Sequence, residues 1–160
     1  MTRTAAVYCT NSCTALADFL VRMGRRTDAQ ALILDIPTPR TASDYLQRGD
    51  FCVHVQDFDK ALDDYCKALE LEPDNAECHD KLRHHYTYCP NSRIRNLRLA
   101  IEHGRKAVGL EPNNAKYHAR LAHTCREHGD RQAARDECTK ARATVESCVL
   151  EELKKSGVSC

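Results

Sequence analysis

Apolar and small residues recur along this chain at the spacing of one helical face, and prolines interrupt the pattern at regular places. Two segments match across their length: Ala61-Leu-Asp-Asp-Tyr65-Cys-Lys-Ala68-Leu-Glu-Leu-Glu-Pro73 and Ala100-Ile-Glu-His-Gly104-Arg-Lys-Ala107-Val-Gly-Leu-Glu-Pro112. In each, alanines seven apart share a face and Leu-Glu-Pro closes the run, so each reads as a helix. Proline lacks a backbone donor and clashes with the preceding turn, so Pro73 and Pro112 mark helix ends. Asn75 and Asn114 follow them and suit the turn into a new helix. Upstream of Ala61 and Ala134 stand Tyr45, Arg48, Gly49 and Cys52, and His118, Leu121, Ala122 and Cys125. Their spacing predicts a second helix in each unit, paired with the first.

The register extends in both directions. Ala29, Ala61, Ala100 and Ala134 are separated by 32, 39 and 34 residues. A fainter copy, with Ala17, Leu20, Gly24, Ala29, Ile33 and Ile36 before Pro37, occupies residues 10–41. The expected organisation is therefore a tail over 1–9, a degenerate unit over 10–41, units over 42–75, 76–114 and 115–148, and a helical extension and tail over 149–160. The last helix is expected to continue through Val149 to Leu153 as a cap and to stop at Ser156-Gly157.

Between residues 42 and 148 the sequence resembles the tetratricopeptide repeat family. Tyr45, Gly49, Ala61, Tyr65, Ala68 and Pro73 meet its pattern in the first clear unit, and Leu121, Ala122, Gly129-Asp130, Ala134 and Ala141 meet it in the last. Cys52, Cys125 and Cys138 stand in aromatic places of that pattern, where a buried cysteine serves as a small hydrophobe. The middle unit is longer than the family period of about 34 residues, and Cys89-Pro90-Asn91-Ser92 is the natural seat of the extra residues. This unit also has Arg83 where a small residue would let the helices approach and Gly104 where an aromatic is expected. The resemblance implies an all-α, right-handed solenoid of about four helix-turn-helix pairs, with Ala61, Ala68, Ala100, Ala107, Ala134 and Ala141 at the close contacts. In the family, the first helices of the pairs line a concave groove that holds a peptide of a partner protein.

Composition narrows the setting. Over 160 residues, 42% are hydrophobic and 29% charged, which suits one soluble folded unit. The 24 basic and 23 acidic residues nearly cancel, so there is no global field toward nucleic acid or anionic lipid. Asp18 interrupts any secretory apolar stretch, and the densest apolar run, 29–36, is far short of a membrane span and contains Gln30 and Asp35. A cytoplasmic protein is expected, with nuclear or ciliary settings compatible. The ten cysteines are then read as reduced thiols, Cys9, Cys13, Cys148 and Cys160 among them, and Cys160 does not complete a prenylation box.

Mapping the groove implied by the resemblance onto this chain gives a mixed half with Thr14, Asp18, Leu46, Gln47, Asp50 and His54. A more basic half has Asp80, Lys81, His84, Thr87, Tyr88, Lys116, Arg120, His123 and Arg126. Lys116 and Arg120 lie four apart, so both heads can meet a carboxylate, Arg120 in bidentate fashion. They resemble half of the family's carboxylate clamp for chaperone tails. The other half is absent, because Leu46 and Asp50, or Thr14 and Asp18, replace the Lys and Asn it needs. Exposed charge is also the norm on a first turn, so the pair reads equally as two solvated side chains.

Cys78, His85 and Cys89 could share a helical stripe with zinc-ligand chemistry but lack a fourth partner and paired short spacings. Cys89, in a basic and histidine-rich loop, is the best candidate for an exposed redox thiol. No nucleophile beside a base and no phosphate-binding glycine loop is found, so neither catalysis nor a cofactor is expected. The reading that follows is a non-enzymatic adaptor or co-chaperone-like scaffold for a partner peptide, acidic in character. Two alternatives stay open. One is an RNA-binding repeat protein using Arg93, Arg95, Arg98, Arg105 and Lys106, against which the few aromatics count. The other is a thiol- or zinc-dependent regulator.

Overall fold

The computed structural model describes residues 16–36 and 38–155, which form helices and turns with no strand. Thr14, Cys9, Cys13, Pro37, Ser156-Gly157 and Cys160 lie outside the described residues. The elements are α1, whose described residues are 16–22, α2 (Arg26–Ala31) with a 3-10 turn (Leu32–Asp35), α3 (Ala42–His54), α4 (Phe58–Leu71), α5 (Ala76–Tyr88), α6 (Leu97–Leu110), α7 (Ala115–His128) and α8 (Arg131–Lys155). Contacts divide the chain into two compact units, residues 1–73 and 74–160. No helix among the described residues is long and apolar enough to cross a membrane.

Helices α3 to α8 each start where a short polar side chain replaces the missing backbone partners, whereas α2 follows Arg25 with no side-chain cap. Thr41 and Asp44 form a reciprocal capping box at α3, Asp57 accepts from Lys60 N–H at α4, and Asn75 accepts from Glu77 and Cys78 N–H at α5. Helices α4 and α6 end at Leu71 and Leu110, just before the Glu-Pro pairs. The turn inside a pair needs a left-handed residue, supplied by Gly24 (φ 75°), Gln56 (φ 61°) and Gly129 (φ 92°), each five residues before an alanine of the repeat register. Arg95 holds that place in the middle pair, and the left-handed turn is gone. The three residues 55–57 that join α3 to α4 become the eight residues 89–96 between α5 and α6. Asn96 N–H bonds back to the Tyr86 carbonyl at 2.9 Å, which ties this longer loop to the end of α5.

In the first unit α3 and α4 pack as a hairpin. Ala61, Ala68, Cys52 and Val55 are fully buried between them. Arg48 grips the buried Asp64 through two hydrogen bonds of 2.8 and 2.5 Å, and the Tyr65 hydroxyl donates to Asp50 at 2.7 Å. Burial first, and the nearby Asp50 second, push the Tyr65 phenol upward. Ala17, Leu20, Ala29 and Ile33 supply the apolar side of the weaker preceding pair. His54 meets Asp18 at 2.5 Å.

In the second unit α5 pairs with α6 and α7 with α8, and α7 also packs on α6 and α5. Ala100 and Ala107 are buried at the α6 contact, and Ile101, Leu121 and Cys125 form a core patch flanked by Val108, Ala133 and Ala134. His118 crosses to α8, with Nδ1 2.6 Å from Glu137, while its Nε2 lies 2.9 Å from the Pro112 carbonyl. The expectation that Ala134, Ala141 and Cys138 are core positions is met only in part. The two alanines are half-buried and Cys138 is exposed, because α8 is the last described helix and nothing among the described residues covers that side.

The middle pair resolves its two departures from pattern together. In α3 and α4, Gly49 makes room for the Tyr65 ring, and a Cβ at residue 49 would come within 2.6 Å of it. In α5 and α6 the sizes are exchanged. Arg83 occupies the gap that Gly104 leaves, and a Cβ at residue 104 would fall 3.1 Å from the Arg83 side chain and 2.8 Å from Leu121.

Candidate functional site

The most developed polar arrangement lies where α5 meets α7 in the second unit. Arg83, buried by its place against Gly104, needs partners for its guanidinium, since an unpaired buried charge is costly. Its Nε donates to Asp80 at 2.8 Å and its Nη1 to the Thr124 hydroxyl at 3.0 Å. Asp80, itself buried, also receives Arg120 Nη1 from α7, so one carboxylate faces two guanidinium groups. Thr87 and Thr124 close the layer with their hydroxyls 3.3 Å apart, each donating to the carbonyl four residues earlier. Among the described residues no buried side-chain polar atom lacks a partner.

Above this layer stands a surface cluster. Tyr88 is 44% exposed, with its hydroxyl 2.6 Å from His123 Nδ1. The His84 ring lies against it with centroids 4.9 Å apart. Partial burial, then the neighbouring Arg83, depress the His84 pKa, which favours the neutral imidazole. Lys116 and Arg126 are exposed on α7, and Lys81 is half-buried on α5.

Several of the expected groove residues are therefore placed differently from their sequence reading. Arg120 does grip a carboxylate, but it is Asp80 of the same unit, so the pairing of Lys116 with Arg120 around an external carboxylate is replaced by an internal ion pair. Asp80 and Thr87 are buried. In the first unit, Leu46 is 5% exposed and packs inward because its helix buries that stripe, so it offers no accessible surface. Gln47 is exposed beside Ser43, and Asp50 is exposed and holds the Tyr65 hydroxyl.

The metal and redox candidates also change. Cys78, His85 and Cys89 are all buried, and no group of three or more His, Cys, Asp or Glu among the described residues is arranged to hold a metal ion. Cys89 is 4% exposed at the end of α5, since the loop turns back over that end, so it is not the exposed thiol its basic loop suggests. A pair that sequence reading missed is His79 on α5 and His103 on α6, with Nδ1 atoms 2.9 Å apart and Tyr86 stacked on the His103 ring. Burial, and then His79, hold the His103 pKa down at about 4. Their separation of 24 residues across two helices carries no motif.

The Tetratricopeptide repeat family matches residues 45–75 of the chain. Similar solved structures include a crystal structure of MamA, 20% identical, covering 88% of this chain and 80% of that one with a TM-score of 0.61. MamA residues 41-end from Desulfovibrio magneticus RS-1 are also 20% identical, covering 86% and 76% with a TM-score of 0.62. A human IFIT1 dimer with PPP-AAAA is 23% identical and covers 81% of this chain but 31% of that one, with a TM-score of 0.61. No curated protein sequence matches the chain.

Proposed function

We propose that this chain, a tetratricopeptide-repeat protein, is a protein-interaction scaffold that presents the α5–α7 face of its second unit to a partner polypeptide. The observation that carries the reading is the exposed, pre-arranged cluster of His84, Tyr88 and His123 over a fully satisfied buried layer. Aromatic side chains held rigid at a surface give large contact area at little entropic cost, and tyrosine adds a polar tip for hydrogen bonding. The layer beneath fixes the spacing of the two helices, so a partner meets a surface already ordered. Lys81, Lys116 and Arg126 around the cluster favour a partner segment of acidic character.

Arg120→Glu is a poor probe of this reading, because it would set two carboxylates together at a buried site and unfold the layer. The Tyr88→Ala/His123→Ala variant leaves the Asp80, Arg83 and Thr124 contacts in place. In RNase-treated lysate, protein partners captured by the intact chain should fall at least about tenfold with this variant, at unchanged far-UV circular dichroism. Equal capture by both proteins would remove the face from the proposal.

A further inference from the structure

The eight-residue loop 89–96 that replaces the left-handed turn does more than lengthen the middle pair. Together with the start of α6 and the end of α7 it forms a shallow recess of about 460 Å³, lined by Ser92, Arg95, Asn96, Leu97, Arg98 and His128. This volume lies within the range of small-ligand clefts, roughly 300–1,000 Å³. The lining contains two guanidinium groups and an imidazole and no carboxylate. Among the described residues, the side chains of Arg95, Arg98 and His128 make no ion pair or hydrogen bond. This sets them apart from Arg48, Arg83 and Arg120, which hold aspartates.

The contrast with the other pairs explains why no internal anion fills the recess. At the corresponding position α4 begins at Asp57 and α8 follows Asp130, whose carboxylates accept from Lys60 and Ala133 N–H. In the middle pair the residue is Asn96, neutral, and its side-chain oxygen is already engaged by the Arg98 and Leu99 N–H groups. The cations of the loop therefore face solvent with no counter-charge built into the recess.

We infer that this recess is a binding site for a single phosphate monoester carried on a polypeptide, that is, a phosphorylated serine or threonine of a partner. Two guanidinium groups match a dianion of about −2 charge in sign, and each can offer it a fork of N–H donors. The Ser92 hydroxyl and the Asn96 amide stand in the same lining and can serve its remaining oxygens. A nucleic-acid strand is disfavoured by two features. The lining holds no Phe, Tyr or Trp, so His128 is its one aromatic ring and successive bases have no row of platforms to stack on, and the chain's formal net charge of +1 gives no extended track for a polyanion. The inference stands apart from the α5–α7 face, with which the recess shares no residue.

The experiment is an NMR titration of the full chain with a phosphoserine tripeptide, its unphosphorylated counterpart, inorganic phosphate and an oligoadenylate, all at matched ionic strength. The expected result is saturable shifts of the Ser92, Asn96, Leu97 and Arg98 amides with the phosphotripeptide and none with its counterpart. Affinity should fall at least about tenfold in Arg95→Glu/Arg98→Glu, a change of exposed side chains that leaves the helical spectrum intact. The Tyr88→Ala/His123→Ala variant should bind the phosphotripeptide as the intact protein does, which separates this site from the face proposed above. Absent or diffuse shifts would overturn the site. Inorganic phosphate binding as tightly as the phosphotripeptide, or oligoadenylate binding these amides more tightly with steep salt dependence, would overturn its assignment to a phosphorylated polypeptide.

Discussion

At the scale of single residues, the close approach of paired helices is achieved in two opposite ways within one chain. Gly49 yields to Tyr65, whereas Gly104 yields to Arg83. Replacing Gly49 with alanine relieves the helix of a glycine, a gain of about 0.5–1 kcal/mol. It also drives a methyl group to within 2.6 Å of a buried ring, and overpacking of this kind costs about 1–3 kcal/mol. The second effect wins, so Gly49→Ala should lower the stability measured by urea denaturation by about 1–2 kcal/mol. Both departures in the middle pair, Arg83 and Gly104, are visible in the sequence. Their mutual compensation is not, because residues 21 apart across an irregular loop face each other where the regular pair sets 16 between Gly49 and Tyr65.

At the scale of elements, helix starts and stops were legible, since Asn, Thr, Asp and Pro at fixed places act through local backbone chemistry. What the local pattern could not show is which side chains meet between helices. His79 and His103 join α5 to α6 through facing imidazole nitrogens, with Tyr86 over the ring and Lys106 adding positive charge nearby. His103 has a folded-state pKa depressed from 6.5 to about 4, so its neutral form is the one the fold accepts. The stability it contributes is therefore fully present above the ordinary pKa of about 6.5 and is lost as pH falls toward the folded value. After discounting for its partial exposure, the loss should be on the order of 1–2 kcal/mol. Thermal unfolding of the intact protein and of His103→Gln, followed from pH 7 to pH 4, should show a steeper decline for the intact protein. Parallel curves would mean that the pair does not govern the acid limb.

At the scale of the whole molecule, the cysteines report the repeat plan most directly. Cys52, Cys78, Cys89 and Cys125 are buried, Cys66 is half-buried and Cys138 is exposed. Burial, reinforced by Asp64, pushes the Cys52 thiol up to about 12. Among the six cysteines of the described residues, alkylation of the native protein, resolved by site with mass spectrometry, should mark Cys138 first and leave the four buried thiols until denaturant is added. Early labelling of Cys52 or Cys125 would contradict the packing of both units. The repeat itself was readable because its alanines and prolines recur, and the surface was not. The resemblance to the repeat family implies an inner face for Asp80, Thr87, Arg120 and Leu46, yet it cannot tell an outward side chain from one consumed by a buried arginine or turned into the core. That arginine has a further consequence. A regular helix pair can be exchanged between arrays as an independent module, because its contacts to the next pair are apolar and generic. The pair formed by α5 and α6 cannot, since Arg83 is completed by Thr124, and Asp80 by Arg120, both in the following helix. Because α7 is in turn paired with α8, natural or engineered shuffling of this chain would have to move α5 through α8 as one indivisible block.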